Sequence, residues 1–332
     1  MKKYSIQFKP YDKYLNASSK PMFDVIKICQ REGYKPLFVA KHHDSRPGKI
    51  RTLNSALECL YIRTKLKKDD IILMQWPFTS CKMFILFWAV RKCKNIQILV
   101  HDIGGMRFGK EENPWMPMFF IIAKSIIVHT PSMKQYLVAN GVKENKIVVL
   151  GAFDYLTDDK SPDNREKTKD VVFAGNLAKS EFLEKIPSSC MGLTINCYGK
   201  KIDNLADGLT YKGAFTPDNV SVLEGSWGLV WDGDSTDTCS GVLGEYLRYN
   251  SPHKISLYIV AHLPVIVWER SALADYVKEK GLGICVSSLN EISGRIDAMS
   301  DKEYSTIIEN VKKEAINLKA GNHLRHCLLT AE

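Results

Sequence analysis

A chain of 332 residues is long for a single hydrophobic core and points to two domains. Its content, 45% hydrophobic and 25% charged, is that of an ordinary soluble globular protein. The net charge of +9 is uneven: residues 1–150 carry 26 Lys+Arg against 11 Asp+Glu, and residues 151–332 carry 20 against 26.

Such a split suggests two domains with different partners. A basic half suits anionic lipid, nucleic acid or a phosphorylated substrate. There is no zinc-finger spacing and no RNP-type sequence, so nucleic acid is set aside in favour of an anionic membrane surface or glycolipid. Nine cysteines lie without CxxC pairs, and Met1-Lys2-Lys3 opens no apolar signal region. Both features read as a cytoplasmic, reducing setting. The longest apolar stretches, Met83–Val90 and Trp115–Val128, are too short to span a bilayer, so any membrane contact is peripheral, on the inner face of the cell membrane. Lys65, Lys67, Lys68 and the segment Arg107–Lys110, beside Trp115–Met118, are the candidates for it.

In chain order, Tyr4–Phe8, Pro36–Val39, Ile71–Met74, Ile96–Val100, Ser125–His129 and Ile147–Leu150 read as strands. Between them Pro21–Glu32, Leu53–Leu66, Cys81–Lys92 and Pro131–Asn140 read as helices, the last stopped by Asn140-Gly141. Thr157–Lys169 is polar and reads as a linker. The alternation restarts with strands at Val171–Ala174, Leu193–Tyr198, Leu209–Lys212, Gly228–Trp231, Pro264–Trp268 and Gly283–Val286. Helices are predicted at Ser180–Lys185, Asp218–Glu224, His253–Ala261, Ala272–Lys280, Asn290–Met299 and Lys302–Leu318, with a short one after. The expected fold is α/β: two doubly wound, Rossmann-like domains facing a cleft. The predicted boundaries are 1–156, 170–301 and a helical tail at 302–332 that packs back on the first domain.

Val230-Trp-Asp-Gly-Asp-Ser235, Thr238-Cys-Ser-Gly241, Pro252-His-Lys254, Ser256-Leu-Tyr258, Leu263-Pro-Val265 and Ala272-Leu-Ala-Asp275 carry the most specific pattern. With Val171–Leu177 and Val100-His-Asp-Ile103, they make the chain resemble the bacterial β-1,6-galactofuranosyltransferases of O-antigen assembly. The layout is also similar to the glucosyltransferases that extend glycans on serine-rich repeat adhesins. The resemblance implies a two-domain (GT-B) glycosyltransferase. It implies a UDP-sugar donor, galactofuranose being favoured, and a lipid-linked saccharide acceptor bound by the first domain. A glucosyl- or N-acetylglucosaminyltransferase, a sugar-nucleotide epimerase and a non-catalytic nucleotide-sugar-binding partner stay open as alternatives, as does a homo-oligomer.

Lys254 at a helix start would add a full charge to the helix amides facing the donor diphosphate. Ser256 and the free amides near His253 would add hydrogen bonds. Gly175 permits close backbone approach, Asn176 offers donors, and Lys179 would be the second cation. The resemblance puts Phe215 near the nucleobase; a core ring is the other reading. Asp232 and Asp234 suggest a metal pair, but the two-domain layout favours sugar-hydroxyl recognition, so no metal and no other cofactor is expected. Asp102 is the candidate base and His101 its companion, with an Asx turn as the plain alternative. Asn16, Ser18, Ser19 and Lys20 form a loop that would close on phosphate or acceptor. Many retaining two-domain enzymes carry a glutamate seven residues before the proline of the Leu-Pro-Val strand; here that position is Leu257.

Overall fold

The computed structural model describes residues 1–9, 19–41, 48–78, 83–108, 113–186, 192–202, 205–206 and 208–331. The chain divides into two compact units. Met1–Leu15, Met22–Leu150 and Leu324–Glu332 form the first, and Asn16–Pro21 with Gly151–His323 form the second.

The first unit is a six-stranded parallel sheet in the order β2-β1-β3-β4-β5-β6. Its strands are β1 (Lys3–Lys9), β2 (Lys35–Lys41), β3 (Ile71–Trp76), β4 (Asn95–Val100), β5 (Ser125–Val128) and β6 (Ile147–Val149). β3 is buried at every position, as a strand covered on both faces must be, and this is why it reads as an apolar run broken only by Gln75. The helices are α1 (Lys20–Arg31), α2 (Gly48–Lys65), α3 (Met83–Val90), α4 (Gly104–Phe108), α5 (Met116–Ile122) and α6 (Pro131–Ala139). Right-handed crossovers put α1 on one face and α2, α3, α5 and α6 on the other. α6 starts where the Thr130 hydroxyl accepts from the Met133 amide, with Pro131 in its first turn.

The run Trp115–Val128 is not one element. It folds as α5, turns at Ala123 in an extended conformation, and resumes as β5. The sequence reading also lacked α4. The final helix α12 (Asn322–Thr330) returns to the first unit from Leu324 on, where Arg325 pairs with Glu32, just past α1, at 3.2 Å.

The second unit repeats the plan with strand order β12-β11-β10-β7-β8-β9, all parallel. Its strands are β7 (Asp170–Ala174), β8 (Thr194–Tyr198), β9 (Leu209–Gly213), β10 (Trp227–Val230), β11 (Val265–Trp268) and β12 (Gly283–Val286). The order reverses between β7 and β10, and a ligand crevice opens at such a switch point, beyond the carboxyl ends of the strands. The helices are α7 (Gly241–Tyr246), α8 (His253–Val260), α9 (Ala274–Lys280), α10 (Ile292–Ala298) and α11 (Asp301–Ala320). Ser300 and Glu303 make a capping box at the start of α11, and Gly321 ends it in the left-handed conformation.

Two predicted helices shrink. Asp218–Glu224 keeps only a 3-10 turn at Val220–Val222, and Ser180–Lys185 is 3-10 over Glu181–Lys185. The short α7 went unread because two glycines in six residues lower its propensity. The polar stretch 157–169 has almost no regular structure, yet it is tied down. The Arg165 guanidinium donates to the carbonyls of Gly225 at 2.7 Å, Leu223 at 3.1 Å and Ala261 at 2.8 Å. The Ser161 hydroxyl donates to Val260 at 2.5 Å. No helix among the described residues is long and apolar enough to cross a membrane.

Candidate functional site

The site in the second unit begins with how α8 is seated. The Tyr258 ring lies on Gly228 of β10, so close that a Cβ on that glycine would fall 2.2 Å from the ring. The Ala174 amide donates to the Tyr258 hydroxyl at 2.8 Å, which ties the helix to the end of β7. The Ser256 hydroxyl donates to the Phe153 carbonyl at 2.6 Å. Two buried anchors one turn on from Lys254 therefore fix the helix start over the switch point.

Lys254 reaches into that crevice. Its ammonium donates to Asp232 Oδ1 at 2.9 Å and lies 4.5 Å from the centre of the Phe173 ring. Its side chain is only 17% exposed. A Cβ on Gly175, just past β7, would stand 3.0 Å from Lys254 Cε, so glycine is what lets the lysine cross the strand end. The result is one held cation between the ends of β7 and β10, placed to share its protons with an anionic ligand.

The turn after β10 is closed by Trp231, whose indole N–H donates to the Ser235 carbonyl at 2.9 Å. Asp232 pairs with Lys254, while Asp234 accepts from the Ser240 hydroxyl. That hydrogen bond holds the Asp234 carboxyl below the usual carboxylate range. The two aspartates are thus committed to different partners. No group of three His, Cys, Asp or Glu side chains among the described residues is arranged to hold a metal ion. Burial pushes the Cys239 thiol well above its ordinary value, which keeps it protonated and unreactive.

Asn176 and Lys179 are exposed just beyond β7, on the same strand end as Gly175. Phe215 is half-buried and meets Tyr198 edge-on at 5.9 Å. Three of the expected residues are already engaged within the protein. Ser256 is fully buried, with its hydroxyl given to Phe153, so it seats the helix rather than facing a ligand. The His253 ring stacks on Tyr155 at 4.8 Å and meets Phe153 edge-on, which makes it a packing group at the helix start. Lys20 is 1% exposed and occupied: it pairs with Asp218 at 2.9 Å, donates to the Leu156 carbonyl and lies 4.8 Å from the Tyr155 ring. Ser19 precedes α1; Asn16 and Ser18 lie outside the described residues. Leu257, at the position of the glutamate of retaining enzymes, is buried in the core.

In the first unit, His101 and Asp102 follow β4 at the carboxyl edge of the sheet. His101 Nε2 meets Gln75 Oε1 at 2.7 Å, and burial of the ring depresses its pKa to about 4. His129, past β5, is pushed down to about 3 by burial, with His101 adding to the shift. Asp102 Oδ2 accepts from Arg107 of α4 at 2.6 Å, and its carboxylate is 32% exposed. Arg107 and Gln75 were not foreseen. Arg107 stands five residues after Asp102, a spacing without a periodic signal, and Gln75 sits inside an otherwise apolar strand. A buried glutamine in such a run was the available clue.

The chain matches the Glucosyltransferase 3-like family in both its parts, the N-terminal domain at residues 5–152 and the C-terminal domain at residues 171–331. It is 30% identical over 287 residues to the β-1,6-galactofuranosyltransferase WbbI of Escherichia coli (strain K12), covering 85% of this chain and 84% of that one. Glucosyltransferase 3 of Streptococcus gordonii is 25% identical over 320 residues, covering 93% and 92%. HepE of Anabaena, solved in complex with UDP and glucose, superposes with a TM-score of 0.58 at 10% identity over 99% of each chain. Sucrose-phosphate synthase of Thermosynechococcus elongatus gives 0.58 at 12% identity over 100% of each. These likenesses show the fold, the two-domain GT-B architecture of glycosyltransferases. With both domains matched along nearly its whole length, the chain belongs to the Glucosyltransferase 3-like family of glycosyltransferases.

Proposed function

We propose that the protein transfers galactofuranose from its UDP-linked form to a saccharide carried on a lipid, in the assembly of a surface glycan. The observation that carries this is the Lys254 ammonium at the β7/β10 switch point, 2.9 Å from Asp232 and beside Gly175. A departing nucleoside diphosphate gains negative charge, and a cation already held at the strand ends stabilises that charge without reorganisation. Asn176 and Lys179 add donors to the phosphates, Phe215 offers a ring face to the base, and Asp232 and Asp234 meet sugar hydroxyls. Lys254 does the work a metal would do elsewhere, so UDP should bind equally well in EDTA. UDP is bound by HepE, and galactofuranose is the sugar named for the E. coli relative, which supports this donor.

Asp102 is the proposed base. It takes the proton of the acceptor hydroxyl as that oxygen attacks the anomeric carbon, and His101, neutral at pH 7, lines the same strand edge. Arg107 must share or leave Asp102 for this step. A lipid-linked acceptor places the enzyme in the cytoplasm against the inner face of the cell membrane.

The Streptococcus relatives, named glucosyltransferases, support a second reading in which glucose is transferred to a protein-linked glycan. Incubation with a panel of UDP-sugars and lipid-linked acceptors, read by mass spectrometry, separates them. A hexose increment on the lipid fraction from UDP-galactofuranose alone supports the first reading. Transfer from UDP-glucose alone rejects it, and an epimerised sugar without acceptor makes the protein an epimerase.

A further inference from the structure

Helix α2 is apolar on two opposite sides. At about 100° per residue, Ser55, Cys59 and Ile62 form one stripe, and all three are buried. Ile50, Leu53, Leu57, Leu60 and Tyr61 form another on the far side, and it is bare, with Leu53 61% and Leu57 56% exposed. The same face of the sheet carries α3 and α5, which expose Phe84 at 64% and Ile121 at 70%. Of the fourteen exposed large apolar side chains among the described residues, eight lie on α2, α3 and α5. Scattered single apolar residues are normal on a surface; a concentration of this kind marks a docking site.

Charge says what docks there. Lys49 near the start of α2, Lys65 at its end, and Lys67 and Lys68 just beyond are all exposed. α2 holds a single acidic residue, Glu58, against four basic ones. The half of the chain that contains it carries 26 basic against 11 acidic residues. A second copy of this face would set lysines against lysines, a like-charge contact that opposes pairing. An apolar stripe with a lysine border fits an anionic bilayer, where leucines enter the acyl boundary and ammonium groups meet lipid phosphates.

We propose that the outer face of α2, with Phe84 and Ile121 beside it, docks the protein on an anionic membrane surface. The docking runs along the helix. Lys67 and Lys68 precede β3 and so lie at the opposite end of the sheet from His101 and Asp102, while Lys110 lies outside the described residues. The inference deepens the reading of a lipid-linked acceptor and rests on it for its purpose. Its test uses vesicles with neither donor nor acceptor, so failure here leaves the transferase reading standing.

The test is co-sedimentation of the full chain with phosphatidylglycerol-containing and with purely zwitterionic vesicles at low salt, with sedimentation velocity of the protein alone. Wild type should bind the anionic vesicles and sediment as the same species as the double variant Leu53→Glu/Leu57→Glu. That variant, changed only at exposed positions and checked by circular dichroism and UDP binding, should partition on the order of tenfold or more weakly. Lys65→Gln/Lys67→Gln/Lys68→Gln should keep the residual apolar binding and lose most of its salt dependence. Equal binding to both vesicle types, no binding to either, or a double variant that binds like wild type overturns the proposal. A wild-type dimer that the double variant dissociates overturns it too, and makes the face a contact between two copies.

Discussion

The two units share one plan, a parallel six-stranded sheet, and charge their polar groups in opposite ways. At the strand ends of the first, His101 and His129 are driven neutral by burial, and a carboxylate, Asp102, stands beside them under an arginine. At the strand ends of the second stands a cation, Lys254, with its aspartate. One histidine of the second unit, His323, is shifted the other way, while His262 is lowered by burial as the first unit's pair is. His323 Nδ1 bonds the Ala152 carbonyl at 2.9 Å and Nε2 bonds Glu314 at 2.8 Å. A ring that serves two acceptors carries both protons and is an imidazolium. Burial would lower its pKa, but the bond to Glu314 and the charge of Asp154 outweigh that and raise it. A carboxylate partner reverses the shift that burial imposes, while a neutral amide or carbonyl partner does not. On the proposed reading, proton transfer falls to the first unit and phosphate binding to the second.

The largest expected effect breaks or keeps that division. Asp102→Asn should lower turnover by roughly 10²–10⁴-fold, the range for a lost general base, and leave UDP affinity unchanged. Arg107→Ala, which removes the 2.6 Å partner of Asp102, should change turnover and leave UDP affinity unchanged. Wild-type turnover in Asp102→Asn on a natural acceptor would remove proton transfer from the first unit.

Next in size is the buried carboxylate of the second unit. Glu314 accepts from Tyr276 at 2.6 Å, Lys280 at 2.7 Å and His323 at 2.8 Å. Burial alone would raise its pKa; the bonds from His323, Lys280 and Tyr276 win and hold it far below the carboxylate range. Glu314→Gln leaves two cations facing a neutral group and should cost about 3–5 kcal/mol, the range for breaking one side of a buried pair. Chemical denaturation of variant and wild type checks it. A loss below about 1 kcal/mol would mean that solvent already screens the cluster.

These partners show where sequence reading stops. Most strands were legible because they are short apolar runs bounded by turn residues, and the place of Lys254 at a helix start was legible because Pro252 and an apolar helix frame it. Glu314 and His323 sit nine residues apart on two helices, and no local pattern joins them. The outer stripe of α2 was visible as Leu53, Leu57, Leu60 and Tyr61. Cys59 and Ile62 on the opposite side make the helix apolar twice over, and periodicity alone cannot say which stripe faces the sheet. Lys20 and Ser256 had the right chemistry for a ligand, and only the fold reveals that Asp218 and Phe153 already hold them.

A smaller effect tests the cation of the second unit. Lys254→Ala should weaken UDP binding by about 1.5–3 kcal/mol, the range for hydrogen bonds to charged groups. Gly175→Ala should weaken it less, because the added methyl meets the flexible end of the lysine, 3.0 Å from Cε. Calorimetry with and without EDTA reads both. Unchanged affinity in Lys254→Ala would move the phosphates elsewhere.

The smallest effect is a pH dependence of opposite sign at His101 and His129 on one side and His323 on the other. His101 and His129 have folded pKa values of about 4 and about 3, below the ordinary 6.5. Below 6.5 the unfolded chain binds protons that the folded one refuses, so their contribution is complete above 6.5 and fades as pH falls towards 4. Between pH 7 and 6 the pair should cost the first unit about 1 kcal/mol. His323 is raised, so its contribution is complete below 6.5 and is lost as pH rises through its folded value. Glu314, held low, contributes above the ordinary carboxylate range and is lost only in strong acid, so it leaves this window flat. Amide hydrogen exchange, corrected for the intrinsic rate at each pH, follows the units separately. Acidification from pH 7 to 5 should weaken protection in β3, β4 and β5, and His262, lowered by burial and by Lys319 and Lys312 of α11, should add a smaller loss of the same sign in α11. A rise from pH 6 to 8.5 should weaken protection in α11 and spare β3, β4 and β5. His323→Asn should abolish the alkaline trend alone. An alkaline loss in α11 that persists in His323→Asn would mean that His323 does not govern it.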